Sequence, residues 1–341
     1  MLRNLVALAV ITAVTAGCDN VEWVGLDVHL TPPRPKDDLV AELPGLAAAL
    51  ATEEEPLPPL PDGPVLLAGT RSGSEATLTV VGEVQGDALG VFASESEVPG
   101  HRDHFTAELL APGSEWVLFA EGVRVGRMTA TAAGLDEDFC VPRPTISGTV
   151  ELVPNAAASQ RFLALPASAV SDRTYDPYQA HRHDYDQRVG SLSLAGTAMR
   201  RLGAAYPPDG VLAIRQDIQA FQLAGTSAEA IAATFMYRDQ LMMSQPESGA
   251  YSLFVMGHEA EQEAEDGYEA SYVWYRASDD APKGAPRFFD HLDWDGDGNE
   301  EILLDVFGAR SRWFAGLAQR SGTWVRTSED PCGRSAAPPG G

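Results

Sequence analysis

Residues 286–328 read PRFFDHLDWDGDGNEEILLDVFGARSRWFAGLAQRSGTWVRTS, and how they are read decides the fold. Four runs rich in aromatic and branched side chains, at 286–292, 301–308, 311–319 and 323–328, are cut by short segments of Gly, Ser, Asp and Asn. Runs of this kind bounded by turn residues are strands, and their close succession makes an antiparallel meander. The 293–300 turn stands apart, because it sets carboxylates at alternate positions before the chain becomes apolar again.

Working outward, the same pattern covers VLAIRQDI (211–218), AIAATFMYR (230–238), AYSLFVMG (250–257) and EASYVWYRA (269–277). Farther toward the N-terminus, EATLTVVGEV (75–84), ALGVFAS (88–94), HFTAELL (104–110), EWVLFAEGVRVGRMTATA (115–132) and TISGTVELV (145–153) also read as strands with tight turns. SLSLAGTAMRRLGAA (191–205) has the spacing of one helix. The expectation is a mainly β protein with minor helix, an α+β arrangement staying open, built as antiparallel meanders in two β-rich parts at 65–141 and 142–332. Without a long-period repeat, a propeller of matching blades is not expected.

The first 64 residues belong to another kind of chain. Arg3 is followed by the apolar run LVALAVITAV (5–14) and by Thr15-Ala16-Gly17-Cys18, the layout of a secretory signal too short to span a bilayer. The Ala-Gly-Cys ending resembles the bacterial lipobox. That resemblance implies removal of residues 1–17, acylation of Cys18, and a lipid-anchored protein of the bacterial cell envelope facing the periplasm or the cell surface. Residues 18–64, Pro-rich on both sides of a helix-capable segment at 38–50, read as a tether. The tail 333–341 reads as disordered.

A net charge of −25 repels phosphate backbones and disfavours nucleic-acid binding. With Cys18 assigned to lipid, Cys140 and Cys332 remain as an even pair in an oxidising compartment, so a bridge between them is expected.

In the acidic turn, with Asp293 as position 1, carboxylates fall at 1, 3, 5 and 9, which are Asp293, Asp295, Asp297 and Glu301. Gly296 and Gly298 allow a sharp bend, and the Asn299 carbonyl stands at position 7. A hard cation such as Ca²⁺ takes six to eight oxygens, which such a loop supplies. An EF-hand needs an acidic twelfth position, and Leu304 stands there. The spacing between two strands resembles the FG-GAP or VCBS-type calcium hairpin over residues 287–324, which implies Ca²⁺ held through Asp293, Asp295, Asp297, Asn299 and Glu301. Asp293-Trp294-Asp295-Gly296 also resembles the start of haloacid-dehalogenase-like phosphatases. No lysine follows it to serve that chemistry.

His101/His104 and His181/His183 could each give two zinc ligands, and surface or hydrogen-bonded histidine is the simpler reading. The second pair resembles part of the metallo-β-lactamase-like motif, but Tyr185 and Asp186 replace the Asp and His it requires. P-loop, GxSxG, GxGxxG and SxxK signatures are absent. No catalytic residue is assigned. The leading expectation is a non-enzymatic binding or scaffold lipoprotein with a structural Ca²⁺ loop and a protein or carbohydrate ligand. The alternatives are a hydrolase with a site near His181/His183 and a purely structural envelope lipoprotein.

Overall fold

Why these runs become strands is plain from where their apolar side chains go. The structure, a computed structural model, describes residues 57–333 apart from 171–172, 227–228 and 261–266. The signal sequence, Cys18, most of the tether and residues 334–341 lie outside the described residues.

Seven strands come first: β1 (Val65–Ser72), β2 (Glu75–Gln85), β3 (Ala88–Leu89), β4 (Glu115–Ala120), β5 (Val123–Asp136), β6 (Arg143–Leu152) and β7 (Arg161–Pro166). Their order is β1-β7-β4-β5-β6-β2-β3, and β1 also pairs with β2, so six antiparallel strands close on themselves and β3 is appended to β2. Closure leaves those six without an open edge. The expected boundary between residues 141 and 142 falls between β5 and β6 of this one sheet. One face of these strands lines the interior, with Leu67, Leu78, Leu118, Met128 and Ile146 among its buried residues.

HFTAELL, expected as a strand, instead belongs to helix α1 (His101–Leu109). Phe105 is its buried residue and joins the barrel core, with Leu109 packed alongside and Leu110, just past the helix, buried in the same cluster. Phe105 and Leu109, four positions apart, share one helix face, and Ala, Glu and Leu are good helix formers. Within ALGVFAS only Ala88–Leu89 pairs as a strand. Within VLAIRQDI, Val211–Ile214 is a 3₁₀ turn and the strand begins at Arg215.

After the four-residue helix α2 (Ala167–Val170) comes the expected helix, α3 (Tyr185–Leu202). Asp184 and Gln187 form a reciprocal capping box at its start, and Gly203, at φ 66°, ends it. Two four-stranded meanders complete the body: β8 (Arg215–Phe221), β9 (Ala230–Tyr237), β10 (Tyr251–Glu259) and β11 (Tyr268–Ala277), then β12 (Ala285–Leu292), β13 (Glu301–Phe307), β14 (Arg312–Arg320) and β15 (Thr323–Glu329). The protein is thus mainly β with minor helix.

Three apolar contacts stack these elements. Leu194, Ala195 and Met199 of α3 pack on Phe235, Leu253 and Val255. The other face of that sheet, through Phe254, Met256 and Trp274, meets Ile302, Leu304 and Val306 of β13. Leu303 points the opposite way and joins Phe289, Leu292 and Trp294 against Phe119 and Leu163 on the outside of the barrel. A strand buried on both faces reads as the continuous apolar run seen at 302–304.

Cys140 and Cys332 are joined by a disulfide with Cα atoms 6.3 Å apart, across a sequence separation of 192. By chain-entropy reasoning a loop of that size is worth about 5 kcal/mol, measured gains often being smaller. Beside it, Arg143 is fully buried, paired with Asp330 and bonded to the Val81 carbonyl, so the segment around Asp330 is held against the barrel. Among the described residues no helix is long and apolar enough to cross a membrane.

Candidate functional site

The acidic turn sits between β12 and β13, which pair from Leu292↔Glu301 down to Ala285↔Phe307. Its geometry is set by the chain's own short-range hydrogen bonds. Asp293 Oδ1 accepts from Gly296 N at 2.6 Å and Oδ2 from Gly298 N at 3.2 Å. Asp295 Oδ1 accepts from Asp297 N at 3.0 Å, and Asp297 Oδ1 from Asn299 N at 2.7 Å. Gly296 and Gly298, at φ 85° and 92°, adopt a backbone that other residues rarely tolerate. Side-chain oxygens of Asp293, Asp295 and Asp297 consequently lie within 4.8 Å of one another.

Glu301 reaches the same turn from inside. It is 1% exposed, and its Oε2 accepts from Trp294 N at 3.2 Å. Burial pushes its carboxyl up to about 9; the Trp294 N–H works against this, while Asp295, Asp293 and Asp297 add to it. Asp295 is also raised, by burial first and then by Asp297 and Asp293, against the opposing bond from Asp297 N. Asn299 contributes its side-chain amide to Asp297, at 3.0 Å. These donors suit a hard cation: carboxylate oxygens gathered on a sharply bent loop, with mutual repulsion that a divalent ion would remove.

Trp294 lies between two of those acids yet is fully buried, its ring in the contact between hairpin and barrel and its Nε1 donating to Gly86 O at 3.3 Å. Two further groups stand at the base of the hairpin. Asp290 accepts from Glu121 N through both oxygens, at 3.0 and 3.2 Å, and from His291 N at 2.8 Å. Burial lifts its carboxyl to about 7, with His291 opposing and Glu121 adding to the rise. His291 Nδ1 lies 3.1 Å from Glu300 Oε2, as an ion pair without a well-directed hydrogen bond. Burial disfavours the charged imidazole, but Glu300, Asp290 and Glu121 together hold it above its ordinary value.

The two-residue turn Glu121-Gly122 between β4 and β5 rests on this base. Both residues have positive φ, 55° and 72°, as a tight hairpin requires. A Cβ on Gly122 would stand 2.1 Å from Glu300 Oε1 and 2.8 Å from His291 Cε1, so glycine is needed for close approach as well as for backbone shape. Glu121 then projects its carboxylate toward His181, whose Nδ1 donates to Oε2 at 3.0 Å.

That pair opens onto a cleft of about 640 Å³. Its walls are the β4–β5 turn, residues 173–181, the loop 222–226, and the acidic hairpin through Asp293, Asp297 and Glu300. Two of these walls, 173–181 and 222–226, are tied to the hairpin: Arg173 Nη1 donates to Asp293 O at 2.8 Å, and Ala224 N to Glu300 Oε2 at 2.6 Å. Tyr175, packed at 5.2 Å on Phe119, has its hydroxyl raised chiefly by burial.

The residues singled out in the sequence scatter accordingly. Asp293, Asp295 and Asp297 converge, Glu301 approaches them from the buried side, and His181 lies across the cleft. His101 packs on Phe92 and Phe105, and His104 Nδ1 donates to Pro58 O at 2.9 Å. Among the described residues the three aspartates are the group of His, Cys, Asp or Glu ligand atoms close enough to share a metal, and no histidine joins them. Sequence reasoning missed Glu121, Arg173, Asp290, His291 and Glu300. Only the Glu-Gly turn between two strand-like runs was a visible sign. No protein-family model, curated protein or solved structure matches the chain, so the site rests on its own geometry.

Proposed function

We propose that the protein is an exported, lipid-anchored component of the bacterial envelope, with a non-enzymatic binding or scaffold role and one structural Ca²⁺ hairpin. The observation that carries the calcium reading is the convergence of Asp293, Asp295 and Asp297 within 4.8 Å on a loop bent by two left-handed glycines. Glu301 and the Asn299 carbonyl would complete the oxygen set. The lipid anchor follows from Arg3, the apolar run and Cys18. Calorimetric titration with Ca²⁺ tests the hairpin: wild type binds at millimolar concentration or below, and Asp295→Ala does not. Mass spectrometry of the mature N-terminus tests the anchor, an unmodified Cys18 sinking it.

A second reading, a hydrolase with its site at His181, is favoured by one observation: a carboxylate-oriented histidine facing a cleft. His183 does not line that cleft. Loss of a measured hydrolytic activity in His181→Ala, with the fold retained, would move the protein into that class.

A further inference from the structure

The walls of the cleft divide unevenly between hydrogen-bond donors and acceptors. Several donors of the walls are already engaged within the protein. Arg173 Nη1 bonds Asp293 O, Gln222 Nε2 bonds Thr226 O at 2.7 Å, and Ala224 N bonds Glu300. The Gly296 and Gly298 amides bond Asp293, and the Glu121 amide bonds Asp290. The acceptors are less committed. Glu121 uses one carboxylate oxygen on His181, and Asp176 makes no hydrogen bond among the described residues. Because Nδ1 of His181 must carry the proton it gives to a carboxylate, the neutral ring leaves Nε2 as a lone pair. With Asp293 and Asp297 left to Ca²⁺, Glu121, Asp176 and Glu300 line the space against Arg173, the one cation among the described residues there. A cleft in which carboxylates outnumber cations concentrates positive counter-ions, and the chain's −25 reinforces it. Its volume, about 640 Å³, is that of a small-ligand site.

We propose that this cleft is a binding site for a small organic cation, an ammonium or guanidinium ligand of polyamine size, anchored by Glu121, His181 and Asp176. The ligand supplies donors to the uncommitted oxygens of Glu121 and Asp176, and Tyr175, Pro177 and Leu223 offer apolar surface to its methylenes. The proposal deepens the reading of the chain as a binding protein and is independent of the calcium hairpin.

The test is calorimetric titration of the full mature chain with spermidine in millimolar Ca²⁺, which keeps the aspartate trio from acting as a generic cation sink. Triethylene glycol serves as the neutral control, and Ca²⁺ binding is measured separately. The expected result is saturable spermidine binding, absent for the glycol and weakened about tenfold by Glu121→Gln or Asp176→Asn, the loss of one charge-assisted hydrogen bond. Asp103→Asn, on the exposed face of α1, should leave it unchanged. If Glu121→Gln does not melt as a folded protein, His181→Ala takes its place. No spermidine binding, or binding equal in wild type and both cleft variants, overturns the proposal while leaving the calcium reading intact. Loss of spermidine binding in Asp295→Ala alone would likewise overturn it, by locating the cation at the hairpin.

Discussion

Asp290 and Asp295 stand on one hairpin and meet opposite surroundings. Asp295 sits at the tip among other acids, bonded only by its own loop and reachable from water. Asp290 sits at the base, 6% exposed, with its carboxylate filled by amides from Glu121 and His291. Both are held above the ordinary carboxyl range, with burial the first cause in each. What differs is the remedy. The tip can be neutralised by an ion from solution, whereas the base can be neutralised only by a proton or by its neighbours. A hairpin can therefore present an ion site at one end and lock the cleft at the other without the two competing.

The largest break in this comparison is Trp294→Ala. The side chain is fully buried where hairpin meets barrel, so its removal should cost about 4 kcal/mol in urea unfolding. A loss within about 1 kcal/mol would mean that the tip is not anchored by the core.

Asp290→Asn addresses the base. The folded carboxyl titrates near 7 against 3.8 unfolded, so the folded state holds the proton more tightly. Its favourable contribution is present below the unfolded value and is lost as pH rises through about 7. The groups facing it are His291, Glu121 and Arg161. In chelator, wild type should therefore lose at least about 2 kcal/mol relative to Asp290→Asn between acid and mildly alkaline pH. Parallel stability curves for the two proteins would remove Asp290 from the argument.

The tip should give the smallest effect. Millimolar Ca²⁺ is expected to raise the melting temperature by about 2–4 °C, Mg²⁺ by less, and Asp295→Ala should abolish the rise without unfolding the protein. Identical melts with and without chelator would leave the tip as a solvated turn.

Legibility followed range along the chain. The hairpin β12–β13, the body of helix α3 and the acidic turn were readable, because each is decided by residues a few positions apart, whereas the start of α3 at Tyr185, behind its Asp184/Gln187 cap, was not read. HFTAELL was misread because a short run with apolar residues at 105, 109 and 110 fits a strand or a helix by periodicity alone. The direction of Trp294 was equally hidden: a tryptophan between two aspartates looks exposed until the barrel behind it is known.

By itself the sequence determined the β class, the alternation that builds the meanders, the acidic turn between two strands and the even cysteine pair. These depend on local periodicity, turn residues and counting. Only the tertiary structure decided that six strands close into a barrel, that β6 and β7 belong to it, and that Glu121 meets both His181 and Asp290. Those pairings join residues 60 and 169 positions apart. Contacts at such separations are chosen by the burial of whole sheet faces rather than by any local propensity, so the residues that make the cleft carry no mark of it in their own neighbourhood.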